Sequence, residues 1–428
     1  MIPTIADAAA GVRQGSLSPV ELVEVCLARI RAADPALGAW VHVDEPGARA
    51  AARERAADAR AGRLRGPLHG IPVGVKDIFH VAGMPTTAGA GPFAHETPSE
   101  DAPAVGRLRA AGAVILGKTA TTEFAYLDPA ATRNPWNREH TPGGSSSGSA
   151  AAVAAGMVPL ALGTQTVGSV LRPAAYCGVV GIKPTHGLVP TEGVIPLAWS
   201  LDHVGCFARS VPDAALALGV LAGRALDARP APPTVGLPAA WVEQATPEVA
   251  AHVRQVAGQL QRAGARVEEM SLPPALDRLE EAGRTVLRVE AAVYHTGRFG
   301  ADLSQHRAGV AELIRSGLAV SGADYVRANR VRRACRDAMA AVFARYAILL
   351  TPVAPAPAPP GLASTGDPRF CAPWSFIGAP AVSLPSGIAT TGLPLAVQLV
   401  AGPEREAELL AAAAWSERVI GFAAEPHG

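Results

Sequence analysis

The sequence predicts an α/β fold, and three observations carry that expectation. Apolar runs of strand length, at 71–75, 114–116, 158–162 and 179–182, lie between stretches with helical spacing. Apolar residues make up 49% of the 428-residue chain, enough for a large core. Strand signals flank the proline-rich stretch 354–360 on both sides, so that stretch reads as a loop within one body. Roughly 150 residues per domain would allow two or three domains. Large single α/β domains also exist, and the sequence shows no internal repeat.

The elements follow in order. Residues 4–35 read as helical. Ser18-Pro19-Val20-Glu21 has the form of an N-cap with proline at the first helical position, and Leu22, Val23, Cys26, Leu27 and Ile30 recur at helical spacing. The Ala/Arg/Glu stretch 47–62 predicts a second helix. After the strand-like runs, prolines at 230–233 mark a modest break. A helix is expected over 247–263, and 281–346 reads as mostly helical and Arg-rich. Residues 348–352 read as a buried strand and 354–360 as an extended surface loop. Strands at 381–384 and 396–400 precede a final helix at 404–419.

Net charge is +1, which argues against a general polyanion binder, so no nucleic-acid partner is expected. Five cysteines, far apart and odd in number, fit a reduced protein better than a disulfide scaffold or zinc site. The N-terminus lacks the pattern of a signal peptide. No apolar run reaches the roughly 20 residues of a membrane span. A cytoplasmic protein is expected, and a homodimer is compatible with the sequence. Of the 38 basic residues only Lys76, Lys118 and Lys183 are lysines. Guanidinium stays protonated, so a reaction needing a neutral amine must use one of these three.

The chemistry-bearing stretch is Gly143-Gly144-Ser145-Ser146-Ser147-Gly148-Ser149, which runs straight into small apolar residues. Gly143 and Gly148 have the spacing of a phosphate loop, but the lysine such a loop needs is missing. A second serine, Ser169, stands 24 residues later in Thr164-Gln165-Thr166-Val167-Gly168-Ser169. Successive backbone N–H groups in such a turn can converge on one oxygen and form an oxyanion hole. Serine is a weak nucleophile and needs a base. Lys76 ends an apolar strand, and desolvation there would lower its pKa from about 10.4 toward neutrality. The plainer reading is a Lys76–Asp77 pair at a strand end.

These stretches together closely resemble the amidase signature family. The resemblance extends over Leu116-Gly117-Lys118-Thr119, Thr122-Glu123-Phe124-Ala125, Gly181-Ile182-Lys183-Pro184-Thr185, Ser200-Leu201-Asp202 and Gly392-Leu393-Pro394. It is strong through 70–210 and loose from about 230 to 345. It implies one α/β domain over 1–428, with a large mixed β-sheet covered by helices, and a Ser–cis-Ser–Lys triad. Ser169 matches the nucleophile, Ser145 the bridging serine on a cis peptide bond, and Lys76 the base. Backbone N–H groups of Thr166, Val167, Gly168 and Ser169 match the oxyanion hole. No metal or cofactor is implied, and the implied substrate is a small-molecule amide.

The chain departs from the family's common Thr-Asp-Thr-Gly-Gly-Ser-Ile-Arg pattern. Gln165 replaces the Asp, Val167 the first Gly, and Arg172 stands three residues past the nucleophile. Val167 keeps its N–H but would narrow the site. The shifts resemble a malonamidase-like branch, in which the matching Arg binds a substrate carboxylate. Arg172 therefore has two readings, a carboxylate clamp or a brace on the helix. Met84, Thr122 and Gly144 are further substrate-binding candidates. Met84, Phe124, Tyr126 and Trp374 read equally as core. His80, His140, His186 and His203 lack metal-ligand spacing. Hydrolysis of carbamates or urea derivatives would use the same triad. One component of an amidotransferase that acts on misacylated tRNA is the other reading, and the altered turn and shorter chain count against it. A non-catalytic binding protein would be expected to lose part of the triad.

Overall fold

The computed structural model describes residues 2–90, 96–226, 229–300 and 302–426. Its strands are β1 (Trp40–Val43), β2 (Pro72–Lys76), β3 (Val114–Thr119), β4 (Leu160–Gln165), β5 (Val180–Lys183), β6 (His203–Ala208), β7 (Thr234–Pro238), β8 (Arg266–Met270), β9 (Ile348–Pro352), β10 (Ala381–Ile388) and β11 (Pro394–Val400). They form one mixed sheet in the order β1-β3-β2-β4-β6-β5-β10-β11-β9-β7-β8. Pairing is parallel where β2 meets β3 and β4, and where β7 meets β8 and β9. The other neighbours are antiparallel. Every residue of β2, β3, β4, β9 and β11 is buried, as a sheet covered on both faces requires.

The covering helices are α1 (Ile5–Gln14), α2 (Pro19–Leu37), α3 (Glu45–Arg60), α4 (Pro103–Ala110), α5 (Ser147–Ala154), α6 (Leu171–Cys177), α7 (Val211–Ala222), α8 (Ala239–Val242), α9 (Pro247–Arg262), α10 (Leu279–Phe299), α11 (Ala308–Leu318), α12 (Gly322–Arg345), α13 (Ala372–Phe376) and α14 (Glu406–Ile420). Ser18 makes the capping box expected for α2, with Glu21 accepting from the Ser18 N–H. The stretch 4–35, expected to be helical, forms two helices. Gly15 ends α1 at φ 74°, a left-handed conformation that glycine adopts freely. The strand signals in the sequence do not mark β1, β6, β7 or β8. Residues 354–360 are less exposed than expected, since Ala354 and Ala358 are buried.

The main core surrounds β2–β6 and their helices. A second core lies under α10 and α12 and includes Val286, Cys335, Met339, Trp374 and Phe376. Between them, the C-terminal ends of β2 and β4 lie side by side, with Val75 in register with Leu162. In α/β sheets this is the end at which binding sites form. No helix among the described residues is long and apolar enough to cross a membrane.

One buried ion pair fastens this end of the sheet. Lys118 on β3 donates to Asp77 Oδ1 at 2.8 Å, to Thr86 Oγ1 at 2.9 Å and to the Pro85 carbonyl at 3.0 Å. Asp77 Oδ2 accepts from the N–H of Thr87 at 3.0 Å and from its hydroxyl. Both charged side chains are fully buried. Breaking such a pair from one side leaves an uncompensated charge and costs about 3–5 kcal/mol. Lys118→Met should therefore lower stability to urea by about that much, and adding Asp77→Leu should recover most of the loss. A loss below about 1 kcal/mol in Lys118→Met would show that the pair is dispensable.

Candidate active site

Lys76 is the last residue of β2 and is completely buried. Its Nζ lies 2.8 Å from Ser145 Oγ and 2.9 Å from Thr164 Oγ1. Asp77 points to Lys118, so the adjacent pairing read from sequence does not form. Burial holds the Lys76 pKa well below its usual value, and the more distant Asp202 only partly opposes this.

The glycine/serine turn is pinned at each residue. The Gly144–Ser145 peptide bond is cis. The Ser145 carbonyl accepts from the Thr122 N–H at 3.2 Å. Ser146 Oγ accepts from the Thr164 N–H at 3.3 Å and donates to the Thr164 carbonyl at 3.2 Å. Ser147 Oγ donates to the Gly143 carbonyl at 2.7 Å, and Ser149 Oγ to the Leu162 carbonyl at 2.8 Å. Gly148 packs so tightly that a Cβ there would sit 2.1 Å from the Ala39 carbonyl oxygen. The serines thus serve as hydrogen-bonding packers that seat α5 on β4, leaving the Ser145 hydroxyl for Lys76.

Ser169 lies in the turn between β4 and α6, and its carbonyl accepts from the Ser146 N–H at 3.3 Å, joining the two turns. Among the described residues, the backbone N–H groups of Val167, Gly168 and Ser169 donate to no protein acceptor. Thr166, Val167, Gly168 and Ser169 all line a cavity of about 290 Å³. Tyr126, Leu197 and Arg288 are among the residues that complete it.

Three residues to which the sequence alone assigns no role hold this turn. Gln165 Oε1 accepts from the N–H groups of Val170 and Leu171, both at 2.9 Å, at the start of α6. Its amide nitrogen donates to Ser375 Oγ at 2.9 Å, and Ser375 Oγ donates to the Val167 carbonyl at 2.9 Å. Asp202 Oδ1 accepts from Thr166 Oγ1 at 2.5 Å, while Oδ2 accepts from the N–H groups of Leu197 and Ala198 at 3.0 Å. Burial raises the Asp202 carboxyl to about 6, against the opposing pull of the Thr166, Ala198 and Leu197 hydrogen bonds. The sequence signal for Asp202 is its place in Ser200-Leu201-Asp202, which carries part of the family resemblance. Ser375 carries none.

The substrate-binding candidates divide. Arg172 lines the cavity, yet its guanidinium donates to the Gly144 carbonyl at 2.8 Å, the Gly366 carbonyl at 2.7 Å and Thr365 Oγ1 at 2.9 Å. Thr122 Oγ1 donates to the Tyr126 carbonyl at 2.8 Å, and Gly144 is crowded by Thr365, Ser147 and Thr122. Met84 belongs to the main core and is not brought to the Ser169 cavity. Tyr126 is brought there, while Trp374 is buried against Trp241 with ring centroids 5.4 Å apart. Lys183 donates to the Pro184 and Ala379 carbonyls, and burial lowers it to about 7. No group of three or more His, Cys, Asp or Glu side chains suited to a metal lies among the described residues.

The Amidase family model matches residues 21–410. The chain is 40% identical to a component of the glutamyl-tRNA(Gln) amidotransferase of Anaeromyxobacter sp. (strain K), over 97% of this chain and 96% of that protein. It is 39% identical to an amidase of Pseudomonas putida, over 91% of this chain and 90% of that one. It superposes on the crystal structure of an amidase with a TM-score of 0.90 at 34% identity, covering 98% of this chain and 100% of that one. The mixed sheet and its helices are therefore the amidase signature fold. The chain belongs to the Amidase family and is a hydrolase of carbon–nitrogen bonds other than peptide bonds.

Proposed function

We propose that the protein hydrolyses a small-molecule amide through an acyl-enzyme on Ser169, with Ser145 and Lys76 relaying the proton. The carrying observation is the 2.8 Å contact between a fully buried Lys76 amine and Ser145 Oγ. In its neutral form the amine accepts the Ser145 proton while Ser145 accepts the Ser169 proton. Ser169 Oγ then adds to the carbonyl carbon. The oxyanion is received by the backbone N–H groups of Thr166, Val167, Gly168 and Ser169, each such donor contributing about 2.7–4 kcal/mol. The relay returns the proton to the leaving nitrogen, the C–N bond breaks, and water releases the acid by the reverse path. Carbamates fit the same steps.

The 40% identity to an amidotransferase component favours a second reading, transfer of ammonia within a larger complex. With 96% of that relative covered, length alone does not separate the two. Purified protein alone should release ammonia or amine from members of an amide and carbamate panel. Activity that appears only with a co-purifying tRNA-binding partner would select the second reading.

Ser169→Ala should abolish labelling by a sulfonyl fluoride and reduce turnover by about ten-thousandfold or more. Turnover at the wild-type rate would remove Ser169 from the nucleophile's role.

The buried amine also sets a pH dependence. Its conjugate acid is inactive, so kcat/KM should rise with pH as Lys76 loses its proton, and the limb should lie well below the 10.5 of an ordinary lysine. Lys76→Arg keeps a cation but cannot supply a lone pair, so it should be inactive from about pH 6 to 10. A pH–rate profile that survives in Lys76→Arg would show that the base lies elsewhere.

A further inference from the structure

The Ser169 cavity is strongly asymmetric in charge. Arg172, Arg284 and Arg288 line it, and none of its lining residues is an Asp or Glu. The three arginines are not equivalent. Arg172 is engaged by the Gly144 and Gly366 carbonyls and by Thr365. Arg284 is half neutralised, since its Nε and one terminal nitrogen donate to Glu280 Oε1 at 3.0 and 2.9 Å. Arg288 is half-buried, and among the described residues its guanidinium has neither a hydrogen bond nor an ion pair. Burial raises the Tyr126 phenol in the same cavity, Arg284 and Arg288 act to lower it, and Asp128 and Glu312 act to raise it.

Sequence spacing explains the arrangement. Positions 284, 287 and 288 fall on one face of a helix, and all three line the cavity from α10. The flanking Leu279, Val286 and Leu287 fix α10 in the second core. Apart from the arginines, the lining is largely apolar, with Leu127, Val167, Leu197 and Leu287 beside Thr166 and Ser316. Nearby carboxylates are placed elsewhere. Asp277, Glu280 and Asp367 line a neighbouring cavity of about 720 Å³, which shares Arg284 and Pro368 with the first. Asp128 accepts from the N–H groups of Gly309 and Val310, and Glu312 lies 3.8 Å from Arg315.

A cation without a protein counter-ion, set in a cavity that holds the nucleophile, fits an anion supplied by the substrate. We propose that Arg288, seconded by Arg284, forms a subsite for a substrate carboxylate, so that the preferred amide carries an acid group separated from the scissile bond by a short apolar spacer. Half-amides of dicarboxylic acids are the simplest members of that class. The planar fork of guanidinium suits a carboxylate, and such a pair is stronger in a partly dehydrated cavity than on a surface. The cavity volume of about 290 Å³ restricts the class to small molecules. This subsite rests on Ser169 being the reacting centre, and it is distinct from the Arg172 position, whose nitrogens are directed into the protein.

The test compares a half-amide of adipic acid with hexanamide, its uncharged analogue that ends in a methyl group. Wild-type protein should favour the half-amide in kcat/KM, chiefly through KM. Arg288→Gln should lower the ratio of the two kcat/KM values by roughly ten- to a hundredfold, the range for a hydrogen-bonded charge pair. Arg288→Glu should invert the preference. An equal ratio in wild type and Arg288→Gln would overturn the subsite while leaving the hydrolase reading intact. If neither amide is turned over, calorimetric titration with adipate separates the two ideas. Saturable binding that weakens at least tenfold in Arg288→Gln supports the subsite, and equal affinity in both proteins, or no binding, overturns it.

Discussion

The interaction on which the site depends is the burial of an amine with no carboxylate hydrogen-bonded to it. An ammonium taken out of water pays a desolvation penalty of several kcal/mol, which the protein must offset with a counter-ion or avoid by shedding the proton. At Lys76 burial weighs toward the second route, and both acidic groups near it are committed to other partners. Asp77 is bound to Lys118 and Thr87, and Asp202 to Thr166 and two backbone N–H groups. Two lysines one strand apart thus meet opposite fates. Lys118 keeps a partner and staples β2 to β3, while Lys76 is left with hydroxyls only. The structural pair is a precondition for the chemical one, since a free Asp77 carboxylate would compete to hold Lys76 protonated.

Much of this is legible in the sequence because the chemistry restricts residue type. Three lysines among 38 basic residues narrow the choice of amine, and a glycine/serine turn entering an apolar helix marks the place where it acts. Strands with long apolar runs are legible for the same reason, as burial on both faces admits little else. The strands without such a signal break that pattern for physical causes. β8 lies at the sheet's edge and reads Arg-Val-Glu-Glu-Met, half in water. β7 is interrupted by Gly236, where a Cβ would meet Leu349 Cδ2 at 2.8 Å and the ring of Tyr346 at 3.0 Å. β1, at the other edge, is only four residues long. What no local reading reaches is a partner far along the chain, and Ser375 is 210 residues from the Gln165 amide it receives.

That long-range bond gives the departures at the second turn a physical reason. A carboxylate at 165 could accept from the two N–H groups that open α6, but it could not donate to Ser375. The amide does both, and Ser375 passes its own proton to the Val167 carbonyl. That bond fixes the Val167–Gly168 peptide, whose other end is the Gly168 N–H, a donor with no protein acceptor among the described residues. Donors fixed in advance stabilise a developing negative charge without reorganising, the use proposed for this turn. The branched side chain at 167 adds a wall to the cavity without removing a donor.

Arg172 shows how recognition and support can be confused when read from sequence. Its position near the nucleophile suits a clamp for substrate, and its chemistry suits one equally. Yet three of its hydrogen bonds run to Gly144, Thr365 and Gly366, so it ties the cis turn that carries Ser145 to the loop before α13. Moving it toward a ligand would strip the Gly144 carbonyl of a charge-assisted bond and loosen the turn that carries Ser145. A residue whose loss disturbs the reacting groups is poorly placed to vary with substrate. α10 is better placed, because Val286 holds it in the core while Arg284 and Arg288 face the cavity from outside the relay. Substitution at those two positions changes what the cavity attracts and leaves the hydrogen bonds among Lys76, Ser145 and Thr164 untouched.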